Sequence, residues 1–230
     1  MARESKKARR ERAVEVCRRM GQMYGDAQPA LDFHDPFTLV IAVMLSAQTT
    51  DAAVNRVTPE LFRRWPTPEA LAAASEDEVA EVIHTLGFFR SKARHAVGCA
   101  QMLVSDFGGE VPRTMEELTR LPGVGRKTAN IVLEHAFGIV EGIAVDTHVF
   151  RIATRLGLTR AKTPAEAEGD LLDLLPHELW GDVNSQWILF GREVCDARKP
   201  ACDSCALVDL CPSAFKGGNP TSKAGARRKR

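Results

Sequence analysis

Apolar residues recur at helical spacing along most of the chain. Near the N-terminus they form one face at spacings of three and four, made of Ala13, Val16, Cys17, Met20, Met23 and Tyr24. Asp35 and Pro36 have the form of an N-cap with proline at the first helical position, and they precede a mostly apolar segment from Phe37 to Leu45. Such a run can be a buried strand or a buried helix. Because helical signals flank it on both sides, we predict a central buried helix.

Capping patterns predict the other helices. Helix starts are indicated at Asp51, Thr67-Pro68, Ser75-x-x-Glu78, Thr114-x-x-Glu117 and Thr163-Pro164-x-Glu166. Pro59 indicates that the helix beginning near Asp51 is broken or restarts there. Longer helices are expected from about Arg90 to Phe107 and from about Leu179 to Glu193. Since no alternating strand, internal repeat or dinucleotide-binding fingerprint is found, the sequence predicts an all-α fold.

Charge is distributed unevenly although the net charge is only +1. Residues 1–19 contain eight basic and three acidic side chains, and residues 216–230 contain six basic and none acidic. The remainder carries 17 basic and 27 acidic side chains. Any nucleic-acid contact must therefore come from local basic patches and the two tails. The longest apolar run has seven residues, and the N-terminus lacks the apolar segment of a secretory signal, so we expect a protein of the cytosol or nucleoid without a membrane partner.

A glycine-rich hairpin is predicted at residues 121–130. A short helix should run from Met115 to about Arg120, and a second helix should end before Gly138. The intervening Pro-Gly-Val-Gly permits positive φ and exposes backbone N–H groups beside a helix N-terminus that attracts anions. The hairpin is thus either a phosphate clamp or a glycine-rich turn between packed helices.

Lys127 and Asp146 are candidates for chemistry near this hairpin. Lys127 lies in the first turn of the second helix, where the macrodipole disfavours a cation, and a free amine is a nucleophile. The alternative is that Arg126 and Lys127 are simply two phosphate contacts. Asp146 is predicted to cap the next helix. The helix carries the chain about 17 Å away and residues 138–145 can span about 26 Å back, so the carboxylate can lie near the amine.

Four cysteines lie within seventeen residues, spaced C-x6-C-x2-C-x5-C, at Cys195, Cys202, Cys205 and Cys211. Thiols gathered this closely in a cytosolic protein bind metal more readily than they form disulfides. Structural zinc sites usually pair two C-x2-C knuckles, whereas this segment has one close pair. The wider, uneven spacing suits the separate iron corners of an iron–sulfur cluster. Cys17 and Cys99 lie on apolar helical faces and are predicted to be buried free thiols.

Together these motifs resemble the DNA glycosylases of the helix-hairpin-helix, Gly/Pro-Asp superfamily. The likeness is carried by residues 121–130 and 144–148 and extends from about residue 35 to 212. A lysine at position 127 is similar to the endonuclease III branch. The resemblance implies that Lys127 is the catalytic nucleophile and Asp146 the catalytic carboxylate. It also implies a [4Fe–4S] cluster rather than zinc on the four cysteines.

The resemblance further implies a set of DNA contacts. Gln48 would enter the gap left by an extruded base, although by itself it reads as a loop glutamine. Leu86 and Phe88 would wedge into the base stack, the alternative being core packing around a helix end. Arg198 and Lys199 of the cysteine loop would touch phosphate, the alternative being a solvated loop. The hairpin clamp would consist of Gly123, Val124, Gly125 and Arg126.

The implied architecture has two helical lobes with the active site in the cleft between them. Residues 29–139 would form the first lobe, and residues 1–28 with 140–215 the second, which holds the cluster loop 195–211. Residues 216–230 would be a disordered basic tail. The implied enzyme is a monomer that removes oxidised pyrimidines from double-stranded DNA and cleaves abasic sites by β-elimination through a lysine Schiff base. It needs no dissolved cofactor or divalent metal.

Three other functions are compatible with parts of the pattern. An adenine-specific mismatch glycosylase shares the hairpin, aspartate and cluster, but it lacks the lysine and typically adds a C-terminal recognition domain. A non-enzymatic helix-hairpin-helix module would bind DNA without needing Lys127 and Asp146. An iron–sulfur electron carrier would need no phosphate-binding hairpin.

Overall fold

The computed structural model describes residues 4–25 and 27–215, and these residues form helices, turns and loops without any strand. The all-α prediction is therefore confirmed for this part of the chain. No helix in it is long and apolar enough to cross a membrane. The helices are α1 (Lys6–Tyr24), α2 (Pro36–Leu45), α3 (Asp51–Arg64), α4 (Pro68–Ala72), α5 (Glu76–Val82), α6 (Phe89–Phe107), α7 (Met115–Leu118), α8 (Arg126–Phe137), α9 (Thr147–Arg155), α10 (Pro164–Leu174) and α11 (Trp180–Glu193), with short 3-10 turns at His177–Leu179, Cys202–Ser204 and Val208–Leu210.

The chain divides into two compact units. Pro29–Glu141 forms the central unit, and Met1–Gln28 together with Gly142–Arg230 forms the terminal unit. The two-lobe division implied by the resemblance has its boundaries at 28/29 and 139/140. The predicted basic tail, 216–230, lies outside the described residues.

Helix α2 is the core of the central unit. Every residue from Phe37 to Leu45 is buried, and Asp35 caps the helix by accepting a hydrogen bond from the Thr38 N–H. Helices α3, α6 and α8 pack around it. A helix that is apolar on all sides is stable only when it is enclosed in this way. The predicted buried helix is therefore confirmed.

The predicted break at Pro59 is wrong. Helix α3 continues from Asp51 to Arg64 with Pro59 inside it. Val54 and Leu61, on either side of the proline, are fully buried in the core of the central unit. A proline inside a helix costs about 3 kcal/mol relative to alanine, and burial of these side chains offsets that cost.

The terminal unit is built on α1, α9, α10 and α11 around the fully buried Trp187. The apolar face predicted on α1 is buried from Ala13 to Met20, whereas Met23 is 38% exposed. Cys17 is buried here and Cys99 in the central unit, as predicted. Burial raises the pKa of each of these two thiols to about 12, so both stay protonated at neutral pH.

Candidate functional site

The hairpin consists of α7, a turn and α8. Thr114 caps α7 by accepting a hydrogen bond from the Glu117 N–H at 3.2 Å, and α7 ends at Leu118, two residues before the predicted end. In the turn, the Val124 N–H donates to the carbonyl of Leu121 at 3.0 Å. The Val124 side chain is buried, 6% exposed. The amide of Val124, which the sequence analysis assigned to a phosphate, is thus already bonded within the turn.

Gly123 allows the hairpin to pack closely on the core. Its φ of +79° lies in the left-handed region that favours glycine. A Cβ at this position would lie 2.5 Å from the sulfur of Met44 in α2 and 2.9 Å from the Cβ of His95 in α6. Since real side chains do not approach so closely, only glycine fits.

The N-terminus of α8 lacks a side-chain cap. Its N-cap is Gly125, whereas Asp146 and Thr163 cap the N-termini of α9 and α10 with side-chain oxygens. A helix start without a side-chain acceptor offers its first-turn N–H groups and the positive end of its dipole to an anion. Gly123, Gly125, Arg126 and Lys127 are all exposed at this helix start.

Asp146 caps α9 as predicted. Its Oδ1 accepts hydrogen bonds from the N–H groups of His148 and Val149, both at 2.8 Å. The preceding segment is fixed because the buried Asn184 side chain of α11 donates to the Ala144 carbonyl at 2.6 Å. Neither capping bond uses the second carboxylate oxygen of the half-buried Asp146. Lys127 belongs to the central unit and Asp146 to the terminal unit.

The three residues expected to probe the base stack differ in exposure. Gln48 is exposed and has a φ of +53°, and Phe88 is 69% exposed with a φ of +59°. Leu86 is only 2% exposed and belongs to the core of the central unit. Of the two residues expected to form the wedge, Phe88 is therefore the one at the surface.

The four cysteine side chains line a single apolar cavity of about 270 Å³ within the terminal unit, together with residues such as Ile152, Phe190 and Leu207. All four are free and half-buried. No group of three metal-ligating side chains in the described residues converges on one ion position. Four thiols around one apolar cavity are a donor set that fits an iron–sulfur cluster, whose ligands are cysteine thiolates.

Burial raises the pKa of the Cys205 and Cys211 thiols above the ordinary value. Since a metal binds the thiolate, metal loading at these positions must release protons.

Arg155 holds the first part of the cysteine loop, a role that the sequence analysis missed. Its guanidinium donates to the carbonyls of Asp196 and Ala197, each at 2.7 Å, and to the sulfur of Cys195 at 3.3 Å. The sequence feature that hinted at this role was a cationic residue in the last turn of the amphipathic α9. This feature could not predict hydrogen bonds to the cysteine loop, because those bonds join residues about forty positions apart.

Asp196 shapes the part of this loop that carries the two predicted phosphate contacts. Its Oδ1 accepts hydrogen bonds from the N–H groups of Arg198 and Lys199, both at 2.8 Å. These two bonds, led by the one from Lys199, hold the pKa of Asp196 below its ordinary value. Both cationic side chains are exposed on this fixed backbone.

Comparison with known proteins gives consistent matches. Residues 41–177 match the HhH-GPD superfamily of base excision DNA repair proteins. The endonuclease III of Synechocystis sp. is 49% identical, with 90% of this chain and 94% of the relative covered. That of Bacillus subtilis is 46% identical, covering 86% and 91%. A solved structure of a trapped endonuclease III–DNA covalent intermediate has a TM-score of 0.86 and 43% identity, with 90% of this chain and 97% of that one covered.

The close packing at Gly123 generates a prediction. Gly123→Ala should lower the free energy of unfolding by about 2 kcal/mol or more, because it adds left-handed strain to a clash with the core. Gly125→Ala is the matched control, since a Cβ there meets nothing within 4 Å. It should cost less than about 1 kcal/mol. Urea denaturation of both variants measures the difference, and equal stabilities would show that Gly123 is not required for packing.

Proposed function

Because the chain belongs to the endonuclease III family of HhH-GPD base excision DNA repair proteins, we propose that Lys127 is its catalytic nucleophile and Asp146 its catalytic carboxylate. The protein is a DNA glycosylase with AP-lyase activity. The observation that carries the residue assignment is the start of α8, where an exposed lysine stands in the first turn of a helix without a side-chain cap.

The start of α8 is the proposed phosphate clamp. Gly125 and the first turn of the helix offer backbone N–H groups and a positive dipole end, and the exposed Arg126 adds a charge. Gly123 lets the turn that carries the clamp pack closely on the core. Because the Val124 N–H already bonds to Leu121, we assign Val124 a packing role beneath the clamp.

Lys127 would act on the sugar of the damaged nucleotide held by the clamp. Its amine attacks the anomeric carbon as the bond to the base breaks, and the base leaves with the bonding electrons. The resulting amine adduct opens the sugar ring to a Schiff base. Loss of a C2′ proton then expels the 3′ phosphate, and hydrolysis of the imine frees the lysine. The trapped covalent DNA intermediate of a relative 43% identical supports this route.

Asp146, which belongs to the terminal unit, would act on the same nucleotide. Departure of the base builds positive charge on the sugar, which a carboxylate stabilises. The same carboxylate can accept a proton from the Lys127 ammonium before attack. The mechanism requires both units to present these side chains to one nucleotide.

Gln48 and Phe88 are proposed to stabilise an extruded base. Both are exposed and stand at left-handed turns, where the side chain projects from the surface. Leu86 would touch DNA only after leaving the core, so we assign it to packing. The partner is double-stranded DNA, and we propose oxidised pyrimidines and abasic sites as the lesions, acted on by a monomer.

The four cysteines are proposed to hold a [4Fe–4S] cluster. When bound, the cluster would cross-link the loop at Cys195, Cys202, Cys205 and Cys211 and leave the base-removal chemistry to the protein. The hydrogen bonds that Arg155 donates and those that Asp196 accepts fix the same loop, so that Arg198 and Lys199 can contact phosphate.

Borohydride trapping tests the nucleophile. Wild-type protein reacting with abasic or thymine-glycol DNA should be fixed to it covalently, because borohydride reduces the Schiff base. Lys127→Gln should form no adduct and leave abasic strands intact. Its folding should be unchanged or improved by about 0.3–1 kcal/mol, since it removes a cation from the first turn of a helix.

Arg126→Gln is the matched control for Lys127→Gln. It removes a cation from the same helical turn, so it should weaken DNA binding yet trap normally at saturating protein. Normal trapping by Lys127→Gln would rule out this lysine, and loss of trapping in both variants would point to charge rather than a specific amine.

Asp146→Asn tests the carboxylate. Asparagine caps helices about as well as aspartate, so the melting temperature should change little. Turnover of lesion DNA should fall by about a hundredfold or more, because the stabilising charge is lost. Binding of lesion DNA should persist. A collapse of stability with unchanged turnover per folded molecule would make Asp146 a structural residue.

The cluster has an optical test. Protein purified anaerobically should be yellow-brown, with broad absorption at about 400 nm from a thiolate-bound iron–sulfur cluster. Cys202→Ser should lose this absorption, whereas Cys99→Ser should keep it, because the Cys99 thiol is buried in the other unit. A colourless protein containing stoichiometric zinc would contradict the cluster assignment.

A further inference from the structure

Lys92, in the first turn of α6, is a buried lysine with no acidic partner. Its exposed fraction is 5%, and no carboxylate in the described residues forms an ion pair with it. Burial lowers the pKa of its ammonium group. A buried, unpaired charge costs folding free energy, so packing alone would favour an apolar side chain at this position.

Hydrogen bonds of Lys92 reach both of the surface segments that carry Gln48 and Phe88. Its side-chain ammonium donates to the hydroxyl of Thr49, the residue after Gln48. Its backbone N–H donates to the carbonyl of Phe88 at 3.1 Å. We call residues 46–50 the Gln48 loop and residues 86–88 the Phe88 turn. Lys92 bonds both.

Both segments are built around strained backbone. Gln48 and Phe88 are two of the three non-glycine residues with positive φ in the described chain. Each such conformation costs on the order of 1 kcal/mol or more and persists only where the surroundings enforce it. On the Gln48 side, the Thr49 N–H also bonds to the Ser46 carbonyl at 3.0 Å, which closes the loop from within. The hydrogen bond from the Lys92 ammonium to the Thr49 hydroxyl attaches this loop to α6.

We infer that Lys92 is a positioning residue for base extrusion, which ties the Gln48 loop to the Phe88 turn so that the two side chains enter the DNA together. This inference rests on the proposed function of Gln48 and Phe88. Lys92 is placed to act on the DNA indirectly, because the residue is only 5% exposed and its ammonium group is bonded to Thr49. Its effect reaches the DNA through Thr49 and Phe88.

Lys92→Met tests the inference because it keeps most of the aliphatic length and removes the amine. The variant should unfold at the same or a higher temperature, since the buried charge is gone. Excision of thymine glycol from a duplex should slow by about tenfold in single turnover, because a hydrogen bond from a charged donor is lost. Cleavage at a preformed abasic site should slow by less than about threefold, because no base has to be extruded there.

Thr49→Val removes the acceptor of the same bond and keeps the volume of the side chain. It should slow excision at least as much as Lys92→Met does, because it also loses the 3.4 Å bond from the Thr49 hydroxyl to the Ala47 carbonyl. The double variant should be no slower than Thr49→Val, because the bond between Lys92 and Thr49 is already absent there. Thr49→Ser keeps a hydroxyl and should restore excision. If Lys92→Met fails to fold, the Val and Ser variants of Thr49 decide the question.

Three results would overturn the inference. They are excision by folded Lys92→Met within about twofold of wild type, equal slowing of excision and abasic cleavage, and losses that add in the double variant. A wild-type protein that cleaves neither duplex would instead refute the proposed function.

Discussion

The close approach of Gly123 to Met44 and His95 is the constraint on which the proposed DNA-binding side of the central unit depends. Met44 lies in the last turn of the buried helix α2, and Ser46, directly after that helix, begins the Gln48 loop. One end of a single buried helix therefore supports both the hairpin and the Gln48 loop. Because α2 is enclosed on all sides, it cannot shift without disrupting the core of the unit.

The helix starts that carry Lys127 and Asp146 have opposite electrostatic designs. Helix α9 is capped by the carboxylate of its own Asp146, which places a negative charge at the positive end of the dipole. Helix α8 begins at Gly125 without a side-chain acceptor, and its first turn carries cations. The first arrangement presents a fixed anion, and the second presents N–H groups that no side chain caps. The proposed chemistry on a phosphate-linked sugar would use both.

The sequence predicted the features that depend on local patterns. Thr114 and Asp146 were found as caps because capping depends on residues three positions apart or fewer, and the buried α2 was found from an apolar run between helical signals. The break predicted at Pro59 was wrong because packing along α3 outweighs the local preference of proline to end a helix. The cysteine spacing indicated a metal site, and the structure adds the shared cavity.

Contacts between distant residues were beyond the reach of sequence patterns. Arg155 meets the cysteine loop about forty residues later, and Lys92 meets Thr49 about as far back along the chain. Leu86 is buried and Phe88 is exposed, and Phe88 itself has the left-handed conformation directly before α6. Neighbouring apolar residues give no sign of which one will face solvent.

The left-handed backbone at Gln48 and Phe88 has a consequence for the thermodynamics of DNA binding. A flexible loop would lose conformational entropy when it entered the base stack, at about 1–2 kcal/mol for each residue ordered. In segments that the fold already holds in one conformation, this conformational entropy was lost when the protein folded. The proposed entry of these segments into DNA would then be opposed chiefly by the unstacking of the bases. A damaged pair, being easier to unstack, is the place where rigid probes would penetrate most readily.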